Sequence, residues 1–146
     1  MKKAKIIILF TLFLLSISLF WTVEASDQGN KDIIGTWYGK YYYTYSEKLV
    51  PTEFKLIIDR VEVNAFWGVV VEPRTDWGPA SLSEFKSSVT GIIDSKFKKI
   101  RFIKKLEFAG GHAIYYEGFL QDNNKLSGQW IINEDWTGSW QAEKIK

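Results

Sequence analysis

The chain alternates between short segments of β-type sequence and tight turns, and this spacing restricts its fold more than any other feature. Eight segments carry apolar and aromatic residues at every second position, which is the period of a strand with one buried face. Such regular spacing is typical of an all-β sandwich or barrel. The predicted strands cover residues 33–45, 53–63, 65–72, 84–93, 97–108, 112–121, 125–132 and 136–145.

The turns between these segments are short enough to favour consecutive hairpins, the clearest of them at Asp122-Asn123-Asn124. Eight antiparallel strands can close into a barrel that side chains fill or that holds one small ligand. Closure also removes the exposed edges of a flat sheet. The sequence therefore predicts a single antiparallel up-and-down barrel of about eight strands, with a Greek-key sandwich as the alternative. A change of parity near Asp59-Arg60 predicts a bulge in the second strand.

A tripeptide with glycine first and tryptophan third occurs three times, at Gly35-Thr36-Trp37, Gly128-Gln129-Trp130 and Gly138-Ser139-Trp140. In a strand the glycine and the tryptophan of each copy point to the same face. Glycine allows a neighbouring backbone or ring to approach closely, and tryptophan fills the space beside it. A sheet that curls into a small closed barrel needs both properties.

Gly35-Thr36-Trp37 at the start of the first strand resembles the Gly-x-Trp of lipocalins and related up-and-down barrels, and avidin-type barrels open similarly. The segments Tyr116-Glu117-Gly118, Leu126 to Trp130 and Gly138-Ser139-Trp140 resemble small bacterial lipocalin-like domains. The resemblance implies a meandering barrel with an apolar cavity. The chain departs from lipocalins in its last strand, which offers Lys144 where an arginine usually packs on the first-strand tryptophan, and it lacks a long C-terminal helix. The polar biotin contacts of avidin-type barrels find no match.

The N-terminal residues have the three parts of a secretory signal peptide. Lys2, Lys3 and Lys5 form a basic start, an apolar run of 16 residues follows from Ile6 to Trp21, and small or modest residues precede Ser26. An uncleaved membrane anchor is the alternative, but a spanning helix needs about 20 residues. We therefore expect a signal peptide at 1–25, a flexible lead-in at 26–32, a barrel domain at 33–146, and a secreted or periplasmic protein without a membrane span after cleavage.

The predicted mature chain has little net charge and no cysteine. Removal of residues 1–25 leaves 16 basic and 16 acidic side chains, whereas nucleic-acid binding requires a basic surface. No nucleic-acid partner is expected. Small exported domains often rely on disulfides, so this one must be stabilised by its core alone. The mature sequence supplies large aromatic side chains for such a core, since six of the seven tryptophans lie after residue 25.

Residues with catalytic or metal-binding patterns are few. His112 is the only histidine and follows a Gly-Gly turn, and one histidine without cysteine does not make a zinc site. No strained nucleophile elbow is present. Carboxylates such as Asp59, Glu72, Glu107 and Glu117 are spread over separate strands, where outward positions on a polar face are the common case. The sequence predicts no metal, no cofactor and no catalytic residue, and favours a binding protein over a small barrel enzyme with paired inward carboxylates.

Aromatic side chains of the predicted strands are the candidate lining of a ligand site, and Lys104 is its candidate polar contact. Lys104 shares its parity with Ile100, Phe102 and Leu106, so it is expected inside the barrel as a polar contact for an amphipathic ligand such as a fatty acid. A bulge that turns Lys104 outward, or an inner salt bridge, are the alternatives. The expected lining residues are Trp37, Tyr41, Tyr43, Trp67, Phe102, Lys104, Tyr116 and Trp130.

A protein-interaction module, for example an inhibitor of an envelope or secreted enzyme, is the alternative function. In that case the core would be filled and the surface loops with Tyr45, Arg74 and Trp77 would contact the partner. A cavity of roughly 300 Å³ or more inside the barrel would favour a small hydrophobic or amphipathic ligand instead.

Overall fold

A computed structural model describes residues 30–44, 50–74, 81–107, 111–122 and 124–145. These residues form eight strands, each with a buried and an exposed side. The strands are β1 (Gly35–Tyr41), β2 (Thr52–Glu62), β3 (Ala65–Pro73), β4 (Glu84–Asp94), β5 (Lys99–Leu106), β6 (Ala113–Gln121), β7 (Lys125–Asn133) and β8 (Trp136–Lys144). The predicted signal peptide and the first four residues of the predicted lead-in lie outside the described residues.

Each strand pairs in antiparallel fashion with the next along the chain, and β8 pairs with β1 to close the sheet. The up-and-down barrel predicted from the hairpin spacing is confirmed, and the Greek-key sandwich is wrong, because no strand crosses over another. The predicted bulge is also present, since the β2–β3 register shifts between Ile58 and Arg60.

The strand bounds differ from the predicted ones chiefly where aromatic residues continue past a strand end. The first strand was expected to reach residue 45, but β1 ends at Tyr41, and only the amides of Tyr42 and Thr44 still bond to the β8 backbone. The fifth strand was expected to begin at Phe97. That residue lies exposed in the β4–β5 turn, where Lys98 adopts a positive φ of 52°, in the left-handed region and outside the β region.

The barrel has two unlike ends. β1, β3, β5 and β7 end at the upper end, and β2, β4, β6 and β8 begin there, the last after the tight β7–β8 turn. At the lower end, residues 30–34 close the opening. Ile33 is fully buried, the Asn30 amide donates to the Val63 carbonyl (2.6 Å), and the Trp37 indole donates to the Ile33 carbonyl (2.9 Å).

The lower half of the interior is packed with rings, and glycines make room for them. A Cβ atom on Gly91 would overlap the Phe66 ring, and one on Gly118 would meet the Trp140 ring. The Gly-x-Trp repeats act as the sequence predicts, because Gly128 lies so close to the Glu117 carbonyl that no side chain fits there. The barrel therefore has an apolar floor that is closed from below.

Candidate functional site

Polar side chains inside the barrel are concentrated in its upper half. Among the described residues, those of polar or charged type that are buried are Asn30, Thr52, Glu72, Ser87 and Lys104. Asn30 belongs to the lower closure, and the other four face the interior near the upper end. The hydroxyl-bearing rings of Tyr41 and Tyr116 are buried beside them. The upper cluster, as we name it, consists of Tyr41, Thr52, Glu72, Ser87, Lys104 and Tyr116.

An ion pair lies at the centre of the upper cluster. The Lys104 ammonium donates to both carboxylate oxygens of Glu72, at 2.9 Å each, and both side chains are only 1% exposed. The ammonium also lies 5.3 Å from the centroid of the Tyr41 ring. Burial lowers the pKa of Lys104 below its ordinary value, and the Glu72 carboxylate opposes that effect. The pair as a whole is electrically neutral.

Ser87 occupies the inner face of β4, the strand that separates Glu72 on β3 from Lys104 on β5. It pairs with Val70 and Leu106, each two residues from a member of the ion pair. Its side chain is fully buried, and within the described part of the chain the hydroxyl oxygen has no hydrogen-bond partner. A buried polar atom of this kind costs free energy unless something completes its hydrogen bonds.

The tyrosines of the upper cluster are held as neutral hydroxyls. Burial raises the pKa of Tyr41 and of Tyr116 above the usual 10.0, and the nearby Glu72 charge raises both further. A hydrogen bond from the Thr52 side chain partly offsets the effect on Tyr41. Both rings therefore keep a phenolic proton near the ion pair, where it can be donated to an oxygen atom.

Aromatic rings surround this polar layer and continue to the upper mouth. The Trp130 ring meets Tyr41 at 5.9 Å and Tyr43 at 5.5 Å between centroids, both edge to face. Tyr43 is partly buried and in turn contacts Trp136, which is 50% exposed. Among the described residues, Tyr43 and Trp136 are thus the rings of this series that lie farthest from the ion pair toward the upper end.

Five of the eight predicted lining residues come together at this end, namely Tyr41, Tyr43, Lys104, Tyr116 and Trp130. Phe102 lies directly beneath them and stacks on Tyr116, with ring centroids 4.6 Å apart. Lys104 forms an inner salt bridge, which is one of the alternatives that the sequence allows for it.

The other two predicted lining residues lie elsewhere. Trp67 is on the outer face, because the buried residues of β3 are Phe66, Gly68, Val70 and Glu72, and the Arg60 guanidinium covers its ring at 4.0 Å. Its prediction as a lining residue is wrong. Trp37 does face inward, but at the lower end, far from the mouth. The Lys144 ammonium lies 5.6 Å from its ring centroid.

Sequence reasoning missed Glu72 and Ser87 as site residues. The signal for Glu72 was available, since it continues the inward alternation of Phe66, Gly68 and Val70. A single carboxylate in a strand usually faces solvent, however, so the alternation alone does not mark it as a site residue. Ser87 shares its parity with Phe85 and Val89. A serine among inward-facing residues is common, so the sequence does not mark it as a site residue. Only the structure shows that, within the described residues, its hydroxyl has no hydrogen-bond partner.

The outer surface carries a separate apolar feature. A groove of about 760 Å³ crosses the outside of the barrel between β4 and β7. Four large apolar side chains along it are 42–52% exposed: Ile92, Ile103, Tyr115 and Ile131. Of the loop residues predicted to contact a protein partner, Arg74 is exposed near the upper end, and Tyr45 and Trp77 lie outside the described residues.

Comparison with known proteins supports the fold alone. No protein-family model matches the sequence, and no curated protein matches it. Among solved structures, the chain is similar to a redesigned β-barrel, with a TM-score of 0.65, 7% identity, and coverage of 81% of this chain and 96% of the design. It is also similar to a de novo designed fluorescence-activating β-barrel, with a TM-score of 0.56, 11% identity, and coverage of 80% and 97%. Within the described residues, no helix is long and apolar enough to cross a membrane.

Proposed function

We propose that this protein is an exported, lipocalin-like barrel that binds a small, uncharged amphipathic molecule at its upper end. The observation that carries the proposal is the combination, within the described residues, of a buried ion pair and an unpartnered buried hydroxyl in a largely apolar interior. A buried ion pair contributes little to stability compared with apolar side chains of the same size. Its presence beneath the mouth, with Tyr41 and Tyr116 beside it, is more typical of a binding site than of a structural core.

The charge balance of the upper cluster defines the chemical class of the ligand. Glu72 already neutralises Lys104, so a carboxylate ligand would bring an uncompensated negative charge into a buried site. This argues against the fatty acid that Lys104 alone suggested. A hydroxyl or carbonyl oxygen carries no such cost, and it could accept a hydrogen bond from a free N–H of the ammonium or from the Ser87 hydroxyl.

The rest of the ligand would be apolar and small. The interior below Phe102 is filled by rings, so the ligand would lie between the ion pair and the mouth, against Tyr43, Trp130 and Trp136. These rings offer apolar and aromatic surface, which usually makes up most of the wall of a small-molecule site. Access would require the partly exposed Tyr43 and Trp136 side chains to move.

Titration with 1-octanol, followed by tryptophan fluorescence, tests the proposal because Trp130 lies in the site. We expect saturable binding that Ser87→Ala weakens, whereas Ser88→Ala, which changes the next residue on the outer face, leaves it unchanged. Ile103→Gln in the outer groove should also leave it unchanged. Binding that responds to Ile103→Gln and ignores Ser87→Ala would place the ligand on the outer surface and contradict the proposal.

Export rests on residues 1–25, and the test is N-terminal sequencing of the protein recovered from outside the cytoplasm of a producing cell. We expect a chain that begins at Ser26. A chain retained in the cytoplasm with Met1 intact would contradict this part of the proposal.

The protein-interaction alternative has an observation of its own, the outer groove with Ile103, Tyr115 and Ile131. Exposed apolar patches of this kind often mark contact sites for other proteins. The groove does not identify what would occupy it, whereas the upper cluster restricts the chemistry of its ligand. For that reason the interior site is the one we propose.

A further inference from the structure

We propose that Lys104 forms a reversible imine with an uncharged aldehyde that occupies the upper cluster. The inference rests on the binding site proposed above and adds a covalent step to it. Three features of the described residues carry it: a lysine amine buried in a largely apolar interior, a carboxylate at hydrogen-bond distance from it, and hydroxyl groups on other strands of the barrel.

The first requirement for an imine is an amine that can give up its proton. Lysine is protonated and unreactive in water, and burial away from solvent is one of the ways proteins make it nucleophilic. The Lys104 side chain is 1% exposed, and the loss of hydration lowers its pKa. Glu72 accepts two hydrogen bonds from the ammonium at 2.9 Å, so the proton has an acceptor already in place.

The step balances without any further reactant. One ammonium proton moves to Glu72, and the Nζ lone pair forms a bond to the aldehyde carbon. A second proton passes from nitrogen to the carbonyl oxygen, which gives a carbinolamine. Glu72 then returns its proton to that hydroxyl, which leaves as water while the C=N bond forms. The product is an iminium ion paired with the Glu72 carboxylate, and the charge of the site is the same as before.

The surroundings would favour the product. Water is the leaving group, and an apolar, aromatic interior disfavours its return. The Ser87 hydroxyl faces the interior from the strand between Lys104 and Glu72 and lacks a partner among the described residues, so it can hydrogen-bond the carbinolamine oxygen. The same electrical neutrality that selects an uncharged ligand excludes aldehydes that carry a phosphate or a carboxylate.

Reductive trapping tests the inference. The purified protein is incubated with octanal and cyanoborohydride at neutral pH and digested, and each lysine is examined by mass spectrometry. A trapped imine adds the mass of octanal less one oxygen atom. We expect Lys104 to be modified about tenfold faster than the exposed Lys105 beside it, because only Lys104 is desolvated and paired with a proton acceptor.

Two variants serve as controls. Lys104→Met should remove the fast adduct, and Lys105→Met, which changes a neighbouring lysine on the outer face, should leave its yield unchanged. Adducts confined to exposed lysines, with Lys104 unmodified, would overturn the inference. Binding of 1-octanol, which cannot form an imine, then separates the two proposals. If octanol still binds, only the imine is wrong, and if it does not, the binding site is wrong as well.

Discussion

Lys104 and Glu72 come from strands that are not neighbours, and their side chains meet across the inner face of the strand that separates them. The two residues are 32 positions apart in the chain, and the contact is a double hydrogen bond with both groups almost fully buried. In the apolar interior each buried charge is compensated chiefly by the other. The effects of substituting the two residues on stability should therefore be coupled and not additive.

The two single substitutions in this pair should together cost much more stability than the double substitution. Lys104→Met leaves a buried carboxylate and Glu72→Gln leaves a buried ammonium, each of which should lower the free energy of unfolding by about 3–5 kcal/mol. The double variant with both changes should lose clearly less stability than the two single variants together, because no charge is left unpaired and only a buried amide lacks a partner. Urea denaturation of the four proteins measures this cycle.

The exposed pair of Lys40 and Glu53, at 3.0 Å on the outer face, is the matched control. Lys40→Met should change the free energy of unfolding by less than about 1 kcal/mol, because solvent screens the pair. A similar small loss for Lys104→Met would mean that the Lys104–Glu72 pair is open to water.

Ser87→Ala should stabilise the protein in the absence of ligand. The substitution removes a buried hydroxyl that lacks a hydrogen-bond partner within the described residues, and such groups cost about 1–3 kcal/mol. We expect an increase of about 1 kcal/mol in the free energy of unfolding, since the small cavity left behind offsets part of the gain. Thermal unfolding, with the exposed Ser88→Ala as control, provides the measurement, and destabilisation by Ser87→Ala would show that the hydroxyl is satisfied.

Stability should fall in alkali because of the buried tyrosines. The pKa of Tyr41 and of Tyr116 is raised in the folded chain, so the unfolded chain loses these protons first as the pH passes 10.0. Their contribution to the free energy of unfolding is fully present below pH 10.0. Above pH 10.0 each tyrosine lowers that free energy by up to about 1.4 kcal/mol per pH unit. Lys104 acts in the opposite sense at lower pH, because its lowered pKa makes stability rise with pH up to about 10.5.

Tyr41→Phe is the variant that tests this assignment. It should reduce the slope of stability against pH above 10.0, because one of the two groups that must ionise on unfolding is gone. Tyr38→Phe, which changes an exposed ring on the same strand, should leave the slope as it was. Equal slopes for Tyr41→Phe and the original protein would contradict the burial of the Tyr41 hydroxyl.

The close approach at Gly128 should make that position intolerant of any side chain. A Cβ atom would overlap the Glu117 carbonyl and the Gly118 backbone on the neighbouring strand. Gly128→Ala should therefore lower the free energy of unfolding by about 2 kcal/mol or more, as expected for overpacking against backbone. Ser139→Ala on the exposed face of β8 should be nearly neutral. Chemical denaturation compares the two, and a neutral Gly128→Ala would contradict the tight β6–β7 contact.

The fold was predictable because three independent patterns agree on it. The period of two selects the inward residues, the short turns order the strands, and Gly-x-Trp marks where the sheet curls most tightly. The ends of β1 and β5 were not predictable in the same way, since Tyr43 and Phe97 are residue types that favour strands but lie beyond the strand ends. The β-strand propensity of a residue depends on its type, whereas a strand ends where the neighbouring strand stops pairing with it.

The candidate site was predictable only in part, for a physical reason. Parity placed Lys104 inside the barrel, but a partner for it depends on the stagger of strands around the closed sheet, which sequence spacing does not determine. Glu72 meets Lys104 because β4 lies between them with a register that offsets the two residues. Trp67 failed for a different reason: in the alternation of β3 it has the opposite parity to the buried Phe66 and Val70, so it lies outside, against the Arg60 guanidinium.

The most direct test of the central claim is the ratio of the dissociation constants for octanoate and 1-octanol at neutral pH. The two ligands share a chain and differ in charge. If the buried Lys104–Glu72 pair forms the polar end of the site, 1-octanol should bind more tightly by about tenfold or more, because octanoate would bring an unpaired charge into it. In Glu72→Gln the order should reverse, since Lys104 then lacks its carboxylate. Octanoate binding to the original protein as tightly as 1-octanol, with a ratio that Glu72→Gln does not change, would contradict the account.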